Sequence, residues 1–463
     1  MSKYPIWLYQ HSPIFMQNFG FSIVRLNRYI ERHFSPFYKK YLKFLMHSQS
    51  YSQKELEILQ NKKLRTIIQH AYDSVPYYHK VFRSLNLRPE DIKTKQDLNK
   101  LPIIDKEEVR KNWNEFTSRK YHWWQIVKAS TAGSTGSALK IVWAKKSIVI
   151  EHCFEARLWD WAGVSSRDKL AHFGSADMLV SESQSNPPFW RISIPERMIY
   201  FSPNHLSEKN LSTYVKKLRQ FNPQIIRGHP SKIYIVARYM EKTGLSGIAP
   251  KAIFTSSEML MPYQRETIEK MLNCKIFDNY GNNEHVSLIT QCGKGNYHIN
   301  PEYGIIEFIK DGEAAINGET SEMVCTGFIN DAMPLIRYRI GDLAIPTDGI
   351  CDCYRNFPIV TSIQGRTRDI IVTKDGRYLT TGAIVEGIDK IGSVKEWQVI
   401  QKSKEYYIIN FTVDQSCYSK DDVSRLREMV RRRVGEGEIE INIVDHISRP
   451  KNKFRAVISE IKL

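Results

Sequence analysis

A chain of 463 residues is longer than one hydrophobic core organises, and predicts two or three domains. Its 42% hydrophobic and 25% charged residues describe a globular chain, and no apolar run reaches the roughly 18–20 residues a bilayer-spanning helix needs. The formal charge of +17 calls for an anionic partner: a nucleotide, coenzyme A, an acidic polymer or a membrane surface. Nucleic acid is set aside, because the basic residues are dispersed, with Arg431-Arg432-Arg433 the one tight run, and no nucleic-acid-binding motif is present. The N-terminus lacks a compact apolar segment with a small-residue cleavage site, so the expected location is cytoplasmic. Seven cysteines is an odd count for a disulfide framework, and clustered cysteines in a reducing compartment point to metal or catalysis.

Residues 1–50 are aromatic and basic, with weak helical periodicity. They read either as a helical arm packed on the main domain or as an amphipathic segment resting on a membrane or a partner. Ser52 with Glu55 forms a capping box, and Leu56, Leu59, Leu64, Ile67, Ile68 and Ala71 follow at helical spacing, predicting a helix to about residue 72 that Pro76 ends. Asp105 with Glu108 opens a short helix. The stretch Ser130–Lys140 then combines two glycines with small hydroxyl residues, and KIVWA after it reads as a strand. From residue 147 to 350 helical and strand patterns alternate, which predicts an α/β domain. Its helices are expected near 211–221, 231–241 and 262–272. Its strands are expected at QIIRG, KAIFTSS, KIFDNYG, 304–310, 322–328 and 335–339. After Gly365 the texture changes to strands near 369–373, 396–402 and 406–413, a helix near 420–434 capped by Ser419, and the strand EIEINIVD. The division is therefore an arm (1–50), a large α/β domain (51–364), a hinge (365–369) and a small α+β C-terminal domain (370–463).

Several stretches carry chemistry. The first is Thr131-Ala132-Gly133-Ser134-Thr135-Gly136 with Lys140 downstream. It reads as a plain Ser/Gly turn or as a polyphosphate cradle of backbone N–H groups; it is not a Walker A loop, because Gly136 is followed by Ser137. Next come Asp278-Asn279-Tyr280-Gly281-Asn282-Asn283-Glu284 at a strand end, Arg337-Tyr338-Arg339-Ile340-Gly341-Asp342, and Gly365-Arg366-Thr367-Arg368-Asp369. Arg449-Pro450-Lys451-Asn452-Lys453-Phe454-Arg455 closes the chain. The set suits a nucleoside triphosphate: the loop on phosphates, Tyr280 on a purine, Glu284 on magnesium, Asp342 on ribose hydroxyls, and Arg366 with Lys453 against charge building on the α-phosphate. Separately, Cys292 and His298 flank the turn GKGN, and Cys351-x-Cys353 lies in a turn-rich stretch. These four soft ligands suit a structural, tetrahedral zinc, or are unrelated thiols and a histidine. Cys153, Cys274, Cys325 and Cys417 read as core or surface thiols.

Taken in this order, the motifs over residues 55–460 resemble the adenylate-forming superfamily of acyl-CoA synthetases and adenylation domains. The closer resemblance is to its phenylacetate–CoA ligase branch, with coenzyme F390 synthetases and the CapK-type proteins of capsular polysaccharide clusters. The family's T-S-G-[ST]-T-G loop matches Thr131–Gly136 with Ala132 for Ser. Its D-x-Y-G-x-[ST]-E matches Asp278–Glu284 with Asn283 at the Ser/Thr place, and its R-Y-R-T-G-D matches Arg337–Asp342 with Ile340 for Thr. In the terminal motif Asn452 replaces the usual Gly before Lys453, and Arg368 sits where a hinge Asp or Lys is expected.

The resemblance implies an ATP-dependent, AMP-forming ligase that needs Mg2+. A carboxylate attacks the α-phosphate of ATP to give acyl-AMP and pyrophosphate. The small domain then rotates about Gly365–Asp369, and an acceptor such as CoA or another nucleophile takes the acyl group. It further implies catalytic roles for Lys453, Glu284 and Arg366. Nucleotide contacts are implied from Thr131, Gly133, Ser134, Thr135, Gly136, Lys140, Ser257, Glu258, Asp278, Asn279, Tyr280, Gly281, Asp342 and Arg366. The branch often carries cysteines at the two places found here, which supports pairing Cys292 and His298 with Cys351 and Cys353 around zinc. Its acid pocket would be lined by His172, Phe173, Trp190 and His229. A capsule or surface-polysaccharide setting goes with the family; peripheral contact with a membrane or with polysaccharide machinery, and a homodimer, are further expected partners. An adenylyltransferase that leaves AMP on its substrate, and a non-catalytic relative in polysaccharide assembly, are the alternatives.

Overall fold

The computed structural model describes residues 8–130, 139–174, 179–181, 183–366, 371–374, 378–379, 384, 388, 391, 393–449 and 454–461. The chain folds as two units. One comprises Met1–Glu307, Val324–Ile340 and Thr347–Thr361; the other comprises Phe308–Met323, Gly341–Pro346 and Ser362–Leu463. The loop Thr131–Gly136, hinge residues 367–369 and Lys453 lie outside the described residues.

Two helices open the first unit, α1 (Ile14–Phe34) and α2 (Pro36–Ser48). Ser35 caps α2 by accepting from the Tyr38 amide, with Pro36 in the first helical position, where a missing N–H costs nothing. α2 buries Tyr38 and Leu45 in a cluster with Ile150, Cys153 and Phe154. α1 is turned the other way: its polar side chains face the body of the unit. Gln17 accepts from Arg191 Nε at 2.7 Å, Asn18 Oδ1 from the Ile192 amide at 2.9 Å and Ser22 Oγ from the Ile194 amide at 3.2 Å. Arg25 pairs with Glu196, and Arg28 and Arg32 pair with Glu155.

Helix α3 (Gln53–Ser74) starts at the expected Ser52–Glu55 capping box and buries Leu56, Leu64, Ile67, Ile68 and Ala71. Pro76 does not simply end it. It takes the first position of a new helix, α4 (Pro76–Ser84), and so turns the chain rather than freeing it. Asp105 caps α5 (Lys106–Lys111) through the Glu108 amide. Strands β1 (Ile126–Ser130) and β2 (Lys140–Ala144) pair antiparallel from Ile126↔Ala144 to Ser130↔Lys140, so the hydroxyl- and glycine-rich stretch joins the two arms of a hairpin.

After α6 (Lys145–Trp161) come β3 (Leu170–Phe173), β4 (Trp190–Ser193), β5 (Met198–Phe201), α7 (Glu208–Phe221), β6 (Ile225–Gly228), α8 (Pro230–Thr243), β7 (Ala252–Ser256), α9 (Pro262–Leu272), β8 (Ile276–Gly281), β9 (Leu288–Gln291) and β10 (Tyr297–Ile299). They form a sheet in the order β10-β9-β8-β7-β6-β3-β5-β4. Neighbours from β8 to β5 run parallel, and β4, β9 and β10 pair antiparallel. The parallel strands are near-continuous apolar runs because helices cover them. Leu211, Tyr214, Val215 and Leu218 of α7, Ile233, Val236, Ala237 and Met240 of α8, and Ile268 and Leu272 of α9 share one core with Phe173, Ile199, Ile226 and Ile253. Strand order reverses at β3/β6. There a Cβ on Gly228 would lie 2.2 Å from the Phe173 carbonyl oxygen, so only glycine fits. A reversal of this kind leaves a crevice at the carboxyl ends of the strands, where open α/β sheets bind ligands.

The chain continues through β11 (Gly304–Lys310), β12 (Glu313–Ala314), β13 (Ser321–Gly327), β14 (Tyr338–Thr347) and β15 (Ile359–Arg366). The strand expected at 335–339 begins only at Tyr338, because Arg337 is left-handed, at φ 50°. Its guanidinium is clamped by Glu307 at 2.9 and 3.1 Å and by the Leu101 carbonyl at 2.6 Å, and its amide donates to Thr326 Oγ1 at 3.0 Å; four bonds hold a conformation that a lone arginine resists. The second unit contains a hairpin of β16 (Ile371–Val372) and β17 (Tyr378–Leu379), and a four-stranded sheet. In that sheet β18 (Val394–Gln401) and β19 (Tyr406–Val413) pair antiparallel, α10 (Lys420–Val434) returns the chain to β20 (Glu438–Ile443) parallel to β19, and β21 (Val457–Ser459) lies parallel to β18. Ser419 caps α10 as expected, and Leu426, Val430 and Val434 form its buried stripe.

Candidate active site and metal site

A cavity of about 250 Å³ lies at the carboxyl ends of β6, β7 and β8. Arg227 comes from β6, Phe254, Thr255 and Ser256 from β7, and Asn279 from β8. Leu288 and Thr290 of β9 complete the sheet side, α6 contributes Glu151, His152, Phe154, Glu155, Leu158 and Trp159, and α1 reaches in with Arg28. Of the residues expected to line an acid pocket, none of His172, Phe173, Trp190 and His229 borders this cavity. Phe173 stacks on Phe201 with ring centroids 4.7 Å apart, inside the helix-covered core, and Trp190 packs against the same core. His172 leans on Tyr200 at 4.5 Å, and His229 Nδ1 is 3.6 Å from Glu258 Oε1.

The cavity walls are strongly charged. Arg28, Arg32 and Arg227 all pair with the one carboxylate of Glu155. Burial, together with repulsion from the neighbouring guanidinium groups, lowers Arg32 and Arg227 to about 9. Neither Arg28 Nε nor Arg32 Nε has a hydrogen-bond partner among the described residues. Glu151 accepts from the Tyr303 hydroxyl, and burial raises its carboxyl to about 7. His152 is lowered to about 4 by burial, against the pull of Glu31 Oε1 at 2.7 Å.

The strand-end motif borders this cavity through Asn279. Register pairs Ser256 with Asn279 and Thr255 with Asp278. Asp278 is buried and accepts from Thr255 Oγ1 at 2.5 Å and the Tyr297 hydroxyl at 2.9 Å; burial raises its carboxyl despite both bonds. Tyr280 and Gly281 end β8. Ser257 follows β7 in a left-handed conformation, φ 71°, and the next residue, Glu258, accepts from the Ser231 amide at 3.2 Å. Glu284 is a buried carboxylate that accepts from the Tyr338 hydroxyl at 3.3 Å. A single carboxylate is a ligand that magnesium takes together with phosphate oxygens. The β1–β2 hairpin is fastened to this segment, because Trp143 Nε1 donates to the Asn283 carbonyl at 2.8 Å and its ring stacks on His285 at 4.8 Å. Strand β2 is thereby anchored beside the motif, with Lys140 exposed at its start. Asp342 is a buried residue of β14, and Arg366 is the last residue of β15.

Sequence reasoning missed Arg28, Arg227, Glu151 and Glu155. One signal was available: Arg227 interrupts the apolar strand QIIRG at its carboxyl end, where a charge has no reason to be unless it faces a cavity.

Cys292, His298, Cys351 and Cys353 converge so that their ligand atoms all lie within 4.8 Å of one another. Cys292 Sγ is 3.6 Å from Cys351 Sγ, and Cys353 Sγ is 3.3 Å from His298 Nε2. A tetrahedral zinc with Zn–S near 2.3 Å and Zn–N near 2.0–2.1 Å has ligand–ligand edges of roughly 3.5–3.8 Å, so the donor set and spacing fit that ion. An ion held by all four would have no open position, as in structural sites. Pairing of Tyr297 and His298 with Val360 and Ile359 brings β10 and the Cys351–Cys353 turn together.

Solved structures define the fold. The chain matches a crystal structure of 2-hydroxyisobutyryl-CoA ligase in the postadenylation state with TM-score 0.71, at 16% identity over 89% of this chain and 91% of that one. The fold is that of the adenylate-forming CoA ligases: a large α/β domain with a smaller α+β C-terminal domain. Sequence relatives then give the branch. Protein CapK of Staphylococcus aureus is 26% identical over 98% of this chain and 99% of its own length. The phenylacetate-coenzyme A ligase of Escherichia coli (strain K12) is 25% identical over 69% and 73%, and that of Aromatoleum evansii 25% over 81% and 84%. Residues 371–460 match the CapK C-terminal domain. The chain is a homologue of CapK and of the phenylacetate–CoA ligases and has the adenylate-forming fold.

Proposed function

We propose that this protein is an ATP-dependent, AMP-forming ligase that activates a carboxylic acid as acyl-AMP and passes the acyl group to an acceptor such as CoA. The observation that carries the reading is the cavity at the strand ends, bordered by Asn279 of the Asp278–Glu284 motif, in a homologue of acid–CoA ligases. The acid sits in the cavity with its carboxylate toward Asn279. A carboxylate oxygen attacks the α-phosphorus, the bond to the bridging oxygen of pyrophosphate breaks, and that electron pair leaves with pyrophosphate. An acceptor thiolate or other nucleophile then attacks the acyl carbon and AMP departs. Two anions meet in the first step, so cations held against the α-phosphate stabilise the transition state more than the ground state. Arg366 and Lys453 are assigned that part, Asp342 the ribose hydroxyls, and the Thr131–Gly136 stretch, Lys140, Ser257 and Tyr280 the remaining nucleotide contacts. Magnesium, when bound through Glu284, supplies charge neutralisation to the phosphates. The cysteine–histidine cluster is assigned a structural zinc.

The lining favours an acid that is polar beyond its reacting carboxylate. Arg28 and Arg227 offer guanidinium groups, and Thr255, Asn279 and Thr290 offer neutral donors, facing an apolar wall of Phe154, Leu158, Trp159, Phe254 and Leu288. On the resemblance to CapK-type proteins alone, we extend the setting to surface-polysaccharide synthesis. The test is pyrophosphate release from ATP against a panel of carboxylic acids, with AMP and adenylylated products resolved by mass. Release dependent on one class of acid, with AMP as the nucleotide product, is expected. AMP retained on the product makes the protein an adenylyltransferase, and no release with any acid refutes the ligase.

A further inference from the structure

Helix α1 is amphipathic in the reverse of the usual sense. Phe15, Phe19, Ile23, Leu26, Ile30 and Phe34, spaced by three and four, form one stripe along it, and this stripe is exposed: Phe15 by 72%, Phe19 by 67% and Phe34 by 65%. The inward side is the one carrying Gln17, Ser22, Arg25, Arg28 and Arg32. Fully exposed apolar side chains present about 150–200 Å² each, so the stripe with its flanking neighbours offers roughly 900 Å² of apolar surface, beyond the few hundred Å² of an ordinary monomer's largest patch. No charged side chain of α1 is in the exposed class.

What covers the stripe follows from the charges around it. Residues 1–50 hold seven Lys and Arg and one acid, Glu31. Three of those bases, Lys39, Lys40 and Lys43, stand exposed on α2 immediately after the stripe. The one acid is engaged by His152. A second copy of this chain would bring a like lysine cluster with it. An anionic bilayer offers acyl chains to the stripe and phosphate headgroups to the lysines, and no described helix is long and apolar enough to cross a membrane, which leaves lying in its surface. We propose that α1 and the start of α2 form a monotopic docking surface for an anionic lipid bilayer.

The experiment is co-sedimentation of the full chain with vesicles of phosphatidylcholine containing about one third phosphatidylglycerol, and with pure phosphatidylcholine vesicles. Binding to the anionic vesicles is expected, weakened by high salt as headgroup attraction is screened. Changing Phe19→Asp together with Ile23→Asp should weaken it at least about tenfold, and a second variant, Phe15→Gln with Phe34→Gln, should do the same with less change in charge. Each of Lys39→Gln, Lys40→Gln and Lys43→Gln should cost about fivefold on anionic vesicles only. All these positions are exposed, so thermal melting should be unmoved. Wild-type protein that ignores both vesicles overturns the proposal, as does unchanged binding by both apolar variants. A lipid-free dimer that the Phe19/Ile23 variant dissolves also overturns it, and assigns the stripe to a second copy instead.

Discussion

Glu151 gives the cavity a measurable titration. Its carboxyl lies beside the Arg227 guanidinium, accepts from Tyr303 and stands 3.7 Å from His285 Nε2, yet burial outweighs these and raises it from the ordinary 4.5 to about 7. The folded state therefore holds a proton that the unfolded chain releases near 4.5. Stability from this group is fully present below about 4.5, declines as pH rises toward 7 and is gone above it. At 1.36 kcal/mol per tenfold change in proton affinity, that distance is roughly 3 kcal/mol; the side chain keeps 30% of its surface open, so water in the cavity screens part of it and about 2 kcal/mol is expected. Glu151→Gln keeps the Tyr303 contact and removes the titration. Urea unfolding of both proteins at several pH values between 5 and 8 should show the variant gaining about 2 kcal/mol on wild type as pH rises. His152, lowered to about 4, acts in the opposite sense, losing stability as pH falls from 6.5, but it is present in both proteins and cancels in the difference. A difference that does not change across this range would mean that Glu151 is ionised in the fold, and the account of the cavity's charge would be wrong.

Other outcomes follow from the assigned roles. Purified protein should carry close to one zinc per chain, and Cys351→Ser with Cys353→Ser should remove it and lower the melting temperature; metal-free protein of normal stability from zinc-replete cells would exclude the site. Asp342→Ala should weaken ATP binding by roughly 1.5–3 kcal/mol, one to two decades, without unfolding the protein, and an unchanged calorimetric affinity would remove it from the nucleotide site. Lys453→Ala should slow adenylation by about two to three decades while ATP binding and the reaction of supplied acyl-AMP persist. If both half-reactions fail together, the lysine is structural.

Local signals in the sequence were legible where one interaction decides the outcome. The Ser52–Glu55 box, the Ser419 cap and the span Pro262–Leu272 stand where capping and periodicity put them. Pairing of Cys292 and His298 with Cys351 and Cys353 was legible because only a few residue types make a soft ligand set. Features set by distant partners were not. Arg337 is left-handed because Glu307, Leu101 and Thr326 hold it, and nothing near it in sequence says so. Phe173 and Trp190 were expected in an acid pocket from the family resemblance alone, and the strand order puts their side chains in or against the helix-covered core. The arginines of α1 looked like part of a dispersed basic excess, because Glu155 and Glu196 lie over 120 residues further on.

One rod of backbone, α1, carries both an outward apolar stripe and an arginine that walls the cavity. A helix transmits displacement along and across itself with little loss, so whatever seats the stripe also sets the position of Arg28. If both partners bind only when α1 is seated, their affinities are tied by thermodynamic necessity: the factor by which a bilayer tightens the hold on an acid is the factor by which the acid tightens the hold on the bilayer. An affinity for acids measured in detergent-free buffer and one measured on vesicles would then be two different constants, and their ratio would be the coupling itself.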